Sequence, residues 1–400
     1  METVVVRSID ALAGLRSDWL QLRENTGQIA PNADPDRYGT VLNHMGNHAQ
    51  PYVVLVRDKT GPRGALIARL TRRRPQYRVG YARVRGPRLR YLDVLYGGIL
   101  GAGDPAIRTL LVQHLRNLLG AGVVDIAMLN HVRSDDPLLD ELSRGARFTL
   151  SVEKHHCFRL VPGSFEQTIE GFSKKHRYNM RRANRLLVEH FGGNVALRVF
   201  QGESEAAAFV PRAAAVTGGS YQARLAVGFA DTPLWRALLQ TEARLGRLRC
   251  YWLEARGQPI AHQVGCAYGD TFYLEATSFL PEYHELSPGQ VLLVRVLEDL
   301  CQAGLGWIDY GFGDAEYKRA YGTHSWDEAT LELYGPNARA QVAHLVNRST
   351  AALSRGLQRL MDALRILPTL KRAWRGRLAK ASARERVRIS QEKHASSRND

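Results

Sequence analysis

The stretch TFYLEATSFLPEYHELSPGQVLLVRVLEDLCQAGLGWIDYG, residues 271–311, decides the fold. A β-rich run is followed by a turn-rich loop, by apolar residues at helical spacing from Pro288, and by a second β-rich run. A strand, a helix and a returning parallel strand form a right-handed crossover. The free amides at the start of such a helix, aided by its dipole, make an anion site. Ser287 suits the N-cap and Pro288 the first helical position, where no donor is needed. Neither accounts for Gly289, which withholds a side chain where a ligand would approach.

The same unit occurs once earlier. LLVQHLRNLLGAG (110–122) and LLVRVLEDLCQAG (292–304) agree at 7 of 13 positions. Each follows an N-cap and Pro pair, Asp104-Pro105 or Ser287-Pro288, and each precedes an apolar strand holding Asp125 or Asp309. Duplication of an α/β unit is the preferred reading. Ala106 follows Pro105, whereas Gly289 follows Pro288, so an anion site is expected in the second copy only.

Around these units strands and helices alternate. Strands are expected near 3–7, 52–58, 64–70, 123–129, 249–255, 259–268, 271–278 and 307–311. Helices are expected near 9–24, 34–46, 105–120, 164–190, 203–217 and from 288 onward. The fold class is therefore α/β. At 400 residues, 44% of them hydrophobic, the chain has room for two domains. Boundaries are expected at 1–150 and 151–335, with a basic helical tail over 336–400.

Of the formal charge of +16, residues 339–400 carry +11, leaving a mildly basic +5 for the rest. In the tail, Leu370, Trp374 and Leu378 recur every four residues. Eight Lys/Arg between 371 and 388 face one acid, Glu385. That pattern reads either as a membrane-surface or partner-binding helix over 370–388 or as a solvated tail. Cys157, Cys250, Cys266 and Cys301 lack the spacing of a zinc or redox motif and are expected as buried thiols, with no metal bound. No basic leader and no span of about 20 apolar residues occurs, so a cytoplasmic location is expected, with peripheral membrane contact through the tail.

Three pieces carry a family resemblance: "SPG" at 287–289, DYGFGDAEYK at 309–318, and the basic segment FSKKHRYNMRRANRLL at 172–187. Over roughly 155–335 the chain resembles the GNAT acyltransferase superfamily, in the branch of CelD-type acetyltransferases of cellulose and exopolysaccharide biosynthesis, related to the FemAB transferases. Residues 1–150 match loosely, as a degenerate first copy. The resemblance implies tandem GNAT-like domains, mixed sheets flanked by helices, with an acyl-CoA, most often acetyl-CoA, held between splayed parallel strands of the second. Ser287, Pro288, Gly289 and Gln290 would then contact the donor. The family's glycine loop usually has several glycines, and here Gly289 stands alone.

Acyl transfer needs a base for the acceptor and an acid or dipole for the leaving thiolate. Glu275, mid-strand beside the expected slot, is the first candidate base, against the alternative of a solvated carboxylate. His262 on the neighbouring strand is the second, against that of a core histidine. Tyr317 and Tyr321, four residues apart, share a helix face and suit protonation of a thiolate, or aromatic packing. The G-x-G of DYGFGDAEYK comes too late in the unit for a dinucleotide site. Asp309 and Asp314 are expected to cap the next helix and shape the acceptor pocket, and Lys318 to meet an anionic substrate group. In the basic segment, Lys174, Arg177, Asn179 and Arg181 are candidate contacts to a sugar nucleotide, a CoA phosphate or RNA. A solvated helix face is the alternative there.

The favoured function is acyl-CoA-dependent N- or O-acyl transfer to a sugar, sugar nucleotide or polysaccharide precursor. The resemblance leaves two alternatives: FemAB-like transfer from aminoacyl-tRNA, and a non-catalytic GNAT scaffold acting as adaptor of a membrane synthase.

Overall fold

The structure is a computed structural model and describes residues 1–79, 82–219 and 228–363. The tail over 370–388 and the break expected at Pro368 lie outside the described residues.

The first half runs β1 (Glu2–Val6), α1 (Ile9–Leu12), α2 (Arg16–Thr26), α3 (Pro35–Met45), β2 (Ala49–Asp58), β3 (Gly61–Arg73), the hairpin β4 (Gln76–Val79) and β5 (Ala82–Arg85), β6 (Leu89–Leu100), α4 (Pro105–Gly120), β7 (Ile126–Arg133), α5 (Pro137–Ser143) and β8 (Arg147–Arg159). The second runs α6 (Phe165–Glu170), α7 (Lys174–His190), β9 (Val195–Phe200), α8 (Glu203–Gly219), α9 (Pro233–Arg244), β10 (Cys250–Ala255), β11 (Gln258–Tyr268), β12 (Thr271–Phe279), α10 (Pro288–Gln302), β13 (Trp307–Phe312), α11 (Glu316–Tyr321), β14 (His324–Tyr334) and α12 (Ala338–Ala363).

Twelve strands form one sheet in the order β1-β2-β3-β6-β7-β14-β8-β13-β12-β11-β10-β9. Two neighbouring pairs are parallel, β6–β7 and β12–β13, and the repeated helices α4 and α10 make their crossovers. The halves exchange their last strands. β8 pairs with β13 and β14, while β14 pairs with β7 and β8, so each half completes its sheet against the other.

The two crossover helices form for the reason their sequence suggests. Apolar residues at spacings of three and four put Val291, Leu292, Val296, Leu297 and Leu300 of α10 into one core, and Ile107, Leu111, Leu115 and Leu118 of α4 into another. Each fully buried leucine contributes about 1.5–3 kcal/mol of transfer free energy. The four cysteines are free and buried.

Several elements differ from the sequence reading. The helix expected over 164–190 is two, α6 and α7, separated at 171–173 because the Ser173 hydroxyl caps a new helix by accepting from the His176 amide. The helix expected over 9–24 breaks into α1, a 3-10 turn at Ala13–Leu15, and α2. Strands β6, β8, β9 and β14 were not expected; β8 alternates weakly, with Phe148, Leu150 and Val152 exposed on one face.

Candidate active site

The site begins where the parallel pair β12–β13 comes apart. Pairing runs from Thr271–Trp307 to Tyr273–Asp309 and stops. On the far side of β12, Val264 faces Ala276 and Gly265 faces Leu274, leaving Glu275 as a bulge. On β13, Asp309 faces Cys157 and Gly311 faces His156, leaving Tyr310 as another. An unpaired residue bends its strand, and two bulges at matching height open the sheet into a fork.

A cavity of about 840 Å³ adjoins the fork beside α10 and α11, lined by residues that include Ser287, Gly289, Gln290, Thr277, Tyr317, Tyr321 and His176. Ser287 is not the side-chain cap the sequence suggested. Its backbone is left-handed (φ 52°, ψ 48°) and its hydroxyl makes no capping bond, while its carbonyl accepts from the Gln290 and Val291 amides. The Gly289 amide makes no hydrogen bond among the described residues. A Cβ on Gly289 would lie 3.1 Å from Cδ1 of Phe279, so the glycine makes room for that ring and keeps the cavity mouth open. In the first half the same position is closed. Asp104 caps α4 by accepting from the Ala106 amide at 2.9 Å, placing a carboxylate where an anion would otherwise sit.

Tyr317 and Tyr321 both line the cavity, as their spacing predicts. Burial pushes both phenols up to about 12, so they stay protonated at neutral pH; Gln290 partly offsets this for Tyr321.

The candidate bases sort differently from the sequence reading. His262 is fully buried, its Nε2 is 2.7 Å from the Thr217 hydroxyl, and burial depresses its pKa to about 3. It is a core histidine. Glu275 receives two hydrogen bonds of 2.6 Å, one on each oxygen, from the guanidinium of Arg37 on α3, and a third from the Cys266 thiol at 3.2 Å. Its carboxylate ties the two halves together.

Asp309 and Asp314 do not cap α11, whose N-cap is Ala315 without a side-chain bond. Asp314 is exposed and pairs with Arg319 at 2.7 Å. Asp309, 9% exposed, uses Oδ1 for two bonds, to His155 Nε2 at 2.8 Å and from the Gly311 amide at 2.6 Å. Gly311 can turn its amide back in this way because it adopts a positive φ of 68°. Asp309 Oδ2 keeps no partner among the described residues, and Asp309 lines both a cavity of about 270 Å³ at the fork and a cleft of about 1010 Å³. Lys318 lines the smaller cavity and donates to the Phe312 carbonyl at 2.7 Å; burial lowers its pKa.

His155, which the sequence reading missed, holds Asp309 in place. It arrives on the exchanged strand β8, is fully buried, stacks on Trp326 at 4.5 Å, and has Glu328 Oε2 3.2 Å from Nδ1. Burial works to lower its pKa, but the carboxylates of Asp309 and Glu328 outweigh it and raise it to about 9. A raised folded-state pKa stabilises the fold fully below the unfolded value, near 6.5, and that stabilisation is lost as pH climbs through 9. Wild type is therefore expected to lose of the order of 3 kcal/mol between pH 6.5 and 9.5 from this group. A urea-melt series should show that loss shrink in His155→Gln.

The substrate candidates on α7 are dispersed. Lys174, Asn179 and Arg181 are exposed and lie outside the lining of the cavity. Arg177 donates to the Glu170 and Phe172 carbonyls and so closes the end of α6. The helix instead offers His176, which stacks on Phe172 and meets Tyr321 edge-on at 4.9 Å. No metal-holding cluster occurs among the described residues, and no helix there is long and apolar enough to cross a membrane.

Residues 174–319 match the family described as acetyltransferase (GNAT) domain. The fold is similar to that of FemX, at 10% identity over 83% of this chain and 97% of that one, with a TM-score of 0.54. It is also similar to the C-terminal domain of a putative lysylphosphatidylglycerol synthetase from Agrobacterium fabrum, at 12% identity over 86% and 97%, with a TM-score of 0.50. No curated protein matches the chain in sequence. The forked parallel strands and crossover helix fall inside the matched segment, so residues 174–319 form an acyltransferase domain of GNAT fold.

Proposed function

We propose that the chain transfers an acyl group from acyl-CoA, acetyl-CoA foremost, to an amine or hydroxyl of a sugar, sugar nucleotide or polysaccharide precursor. The observation that carries the donor assignment is the asymmetry between the repeats: α10 begins uncapped by any side chain against an open cavity, while α4 is sealed by Asp104. The donor phosphates meet the start of α10, and the acyl arm passes into the fork between β12 and β13.

Asp309 is the base. It stands at the last paired position before the fork, with one oxygen fixed and one free, whereas both oxygens of Glu275 are held by Arg37. The acceptor N–H or O–H gives its proton to Asp309 as its heteroatom bonds the thioester carbonyl carbon. The C–S bond then breaks, and the thiolate takes a proton from Tyr317 or Tyr321. A saccharide acceptor is supported by the larger cleft, where Tyr96, Tyr273, Trp307 and Trp326 supply flat apolar walls beside Asp309 and Glu328.

Transfer from aminoacyl-tRNA is the second reading, favoured by the exposed cations of α7, with Tyr178 61% exposed among them. Calorimetry with acetyl-CoA separates the two. Heat on titration is expected, and Gly289→Val should abolish it, since the new side chain crowds Phe279 and intrudes on the cavity. Absence of heat together with retention of charged tRNA would reverse the ranking, and unchanged affinity in Gly289→Val would remove α10 from the donor site.

A further inference from the structure

The first repeat keeps its fork although its helix end is sealed. β6 and β7 pair from Tyr91–Ile126 to Val94–Leu129 and then separate. A cavity of about 370 Å³ fills the opening, lined in part by Arg37, Arg69, Arg73, Asp93, Tyr96 and Asn130.

Two of its three arginines are neutralised. Arg37 is bound to Glu275, and Arg73 donates to Asp93 Oδ1 at 2.7 Å. Arg69 is not. Among the described residues no carboxylate lies within ion-pair distance of it, and its side chain makes one hydrogen-bond contact, from Nη1 to the Met45 thioether sulfur at 3.3 Å. Its Nε is buried with no hydrogen-bond partner among the described residues. Asp93, the acid that acts on it most, has its oxygens engaged by Thr71 at 2.6 Å and by Arg73. Guanidinium keeps its proton in proteins, so Arg69 cannot relieve this by neutralising itself. A half-buried cation that faces a cavity and, among the described residues, bonds directly only to a thioether is the complement of a ligand anion.

We propose that this cavity binds an anionic group of the acceptor, a phosphate or a carboxylate, with Arg69 as its principal ligand. Tyr96 and Phe312 line both this cavity and the one that holds Asp309. An acceptor anchored at Arg69 thus extends past Tyr96 to present its nucleophile at the fork of the second repeat. The degenerate repeat serves as the acceptor's charge clamp. This rests on the placement of the acceptor beside Asp309, and it narrows the acceptor to an anionic molecule.

The test is thermal melting of the full chain titrated with inorganic phosphate and, in parallel, with acetate, against sodium chloride at matched ionic strength. Wild type should be stabilised by one or both probes, since a ligand that binds only the folded state raises the melting temperature. Phosphate alone would mark a phosphate-bearing acceptor, and acetate alone a carboxylate-bearing one. Arg69→Gln should weaken the effective probe about ten- to hundredfold, the range of one charge-assisted hydrogen bond, and Arg69→Lys should retain part of the effect. The ligand-free melting temperature of Arg69→Gln should fall little, because Asp93, the carboxylate nearest in effect, stays bonded to Thr71 and Arg73. No shift with either probe in wild type, or an equal shift in Arg69→Gln, overturns the proposal. Acetyl-CoA calorimetry on the same samples reads the donor site separately, because Gly289 and Arg69 line different cavities in different halves.

Discussion

Asp309→Asn is expected to lower kcat by about 10²–10⁴-fold, the usual contribution of a positioned general base, with acetyl-CoA affinity unchanged. The amide oxygen can still accept from the Gly311 amide, so the loop after β13 should keep its shape. What disappears is the free carboxylate oxygen at the fork. The variant also removes one of the two carboxylates that keep His155 protonated, so the pH dependence of folding should flatten together with the loss of rate. A purely structural role would flatten the stability profile and leave the rate on folded enzyme intact. Rate and affinity together also test Glu275 as the alternative base: Glu275→Gln should keep most of the kcat that Asp309→Asn loses.

Replacing Arg37 by methionine is expected to destabilise the fold by about 3–5 kcal/mol, the range for removing one partner of a buried ion pair. Arg37 has a side chain only 9% exposed and touches two acids from the other half, Glu275 at 2.6 Å and Glu242 at 3.1 Å. Glu242 would retain Arg247 at 3.0 Å and the Tyr268 hydroxyl, but Glu275 would keep only the Cys266 thiol. The cost arises from the orphaned carboxylate, so adding Glu275→Gln to Arg37→Met should recover a large part of it. Denaturant midpoints of the two single variants and the double variant give the coupling directly. Additive effects would show that the pair does not hold the halves together.

The legible parts of this site are those written in short windows. Gly289 after Pro288, the four-residue spacing of Tyr317 and Tyr321, and the strand-helix-strand order of 271–311 are each complete within a few turns of chain, and all meet at one cavity. The basic segment at 174–185 was equally conspicuous, yet most of its charge faces solvent, because Met180 and Leu187 turn the other side of α7 toward the core. Asp309 was visible as a residue but not as a role. Its N-cap reading failed because the chain turns at Gly311 and draws the carboxylate back onto its own strand.

By itself the sequence determined the α/β architecture, the duplication of its crossover unit and the asymmetry between Ala106 and Gly289, since periodicity, capping chemistry and side-chain volume act over neighbouring residues. Only the tertiary structure decided which groups meet. Asp309, His155 and Glu328 come together because β8 and β14 change places between the halves, and Arg37 reaches Glu275 across 238 positions of sequence. Strand order and register fix such pairs, and both are set by the burial of whole sheet faces rather than by any local run of residues.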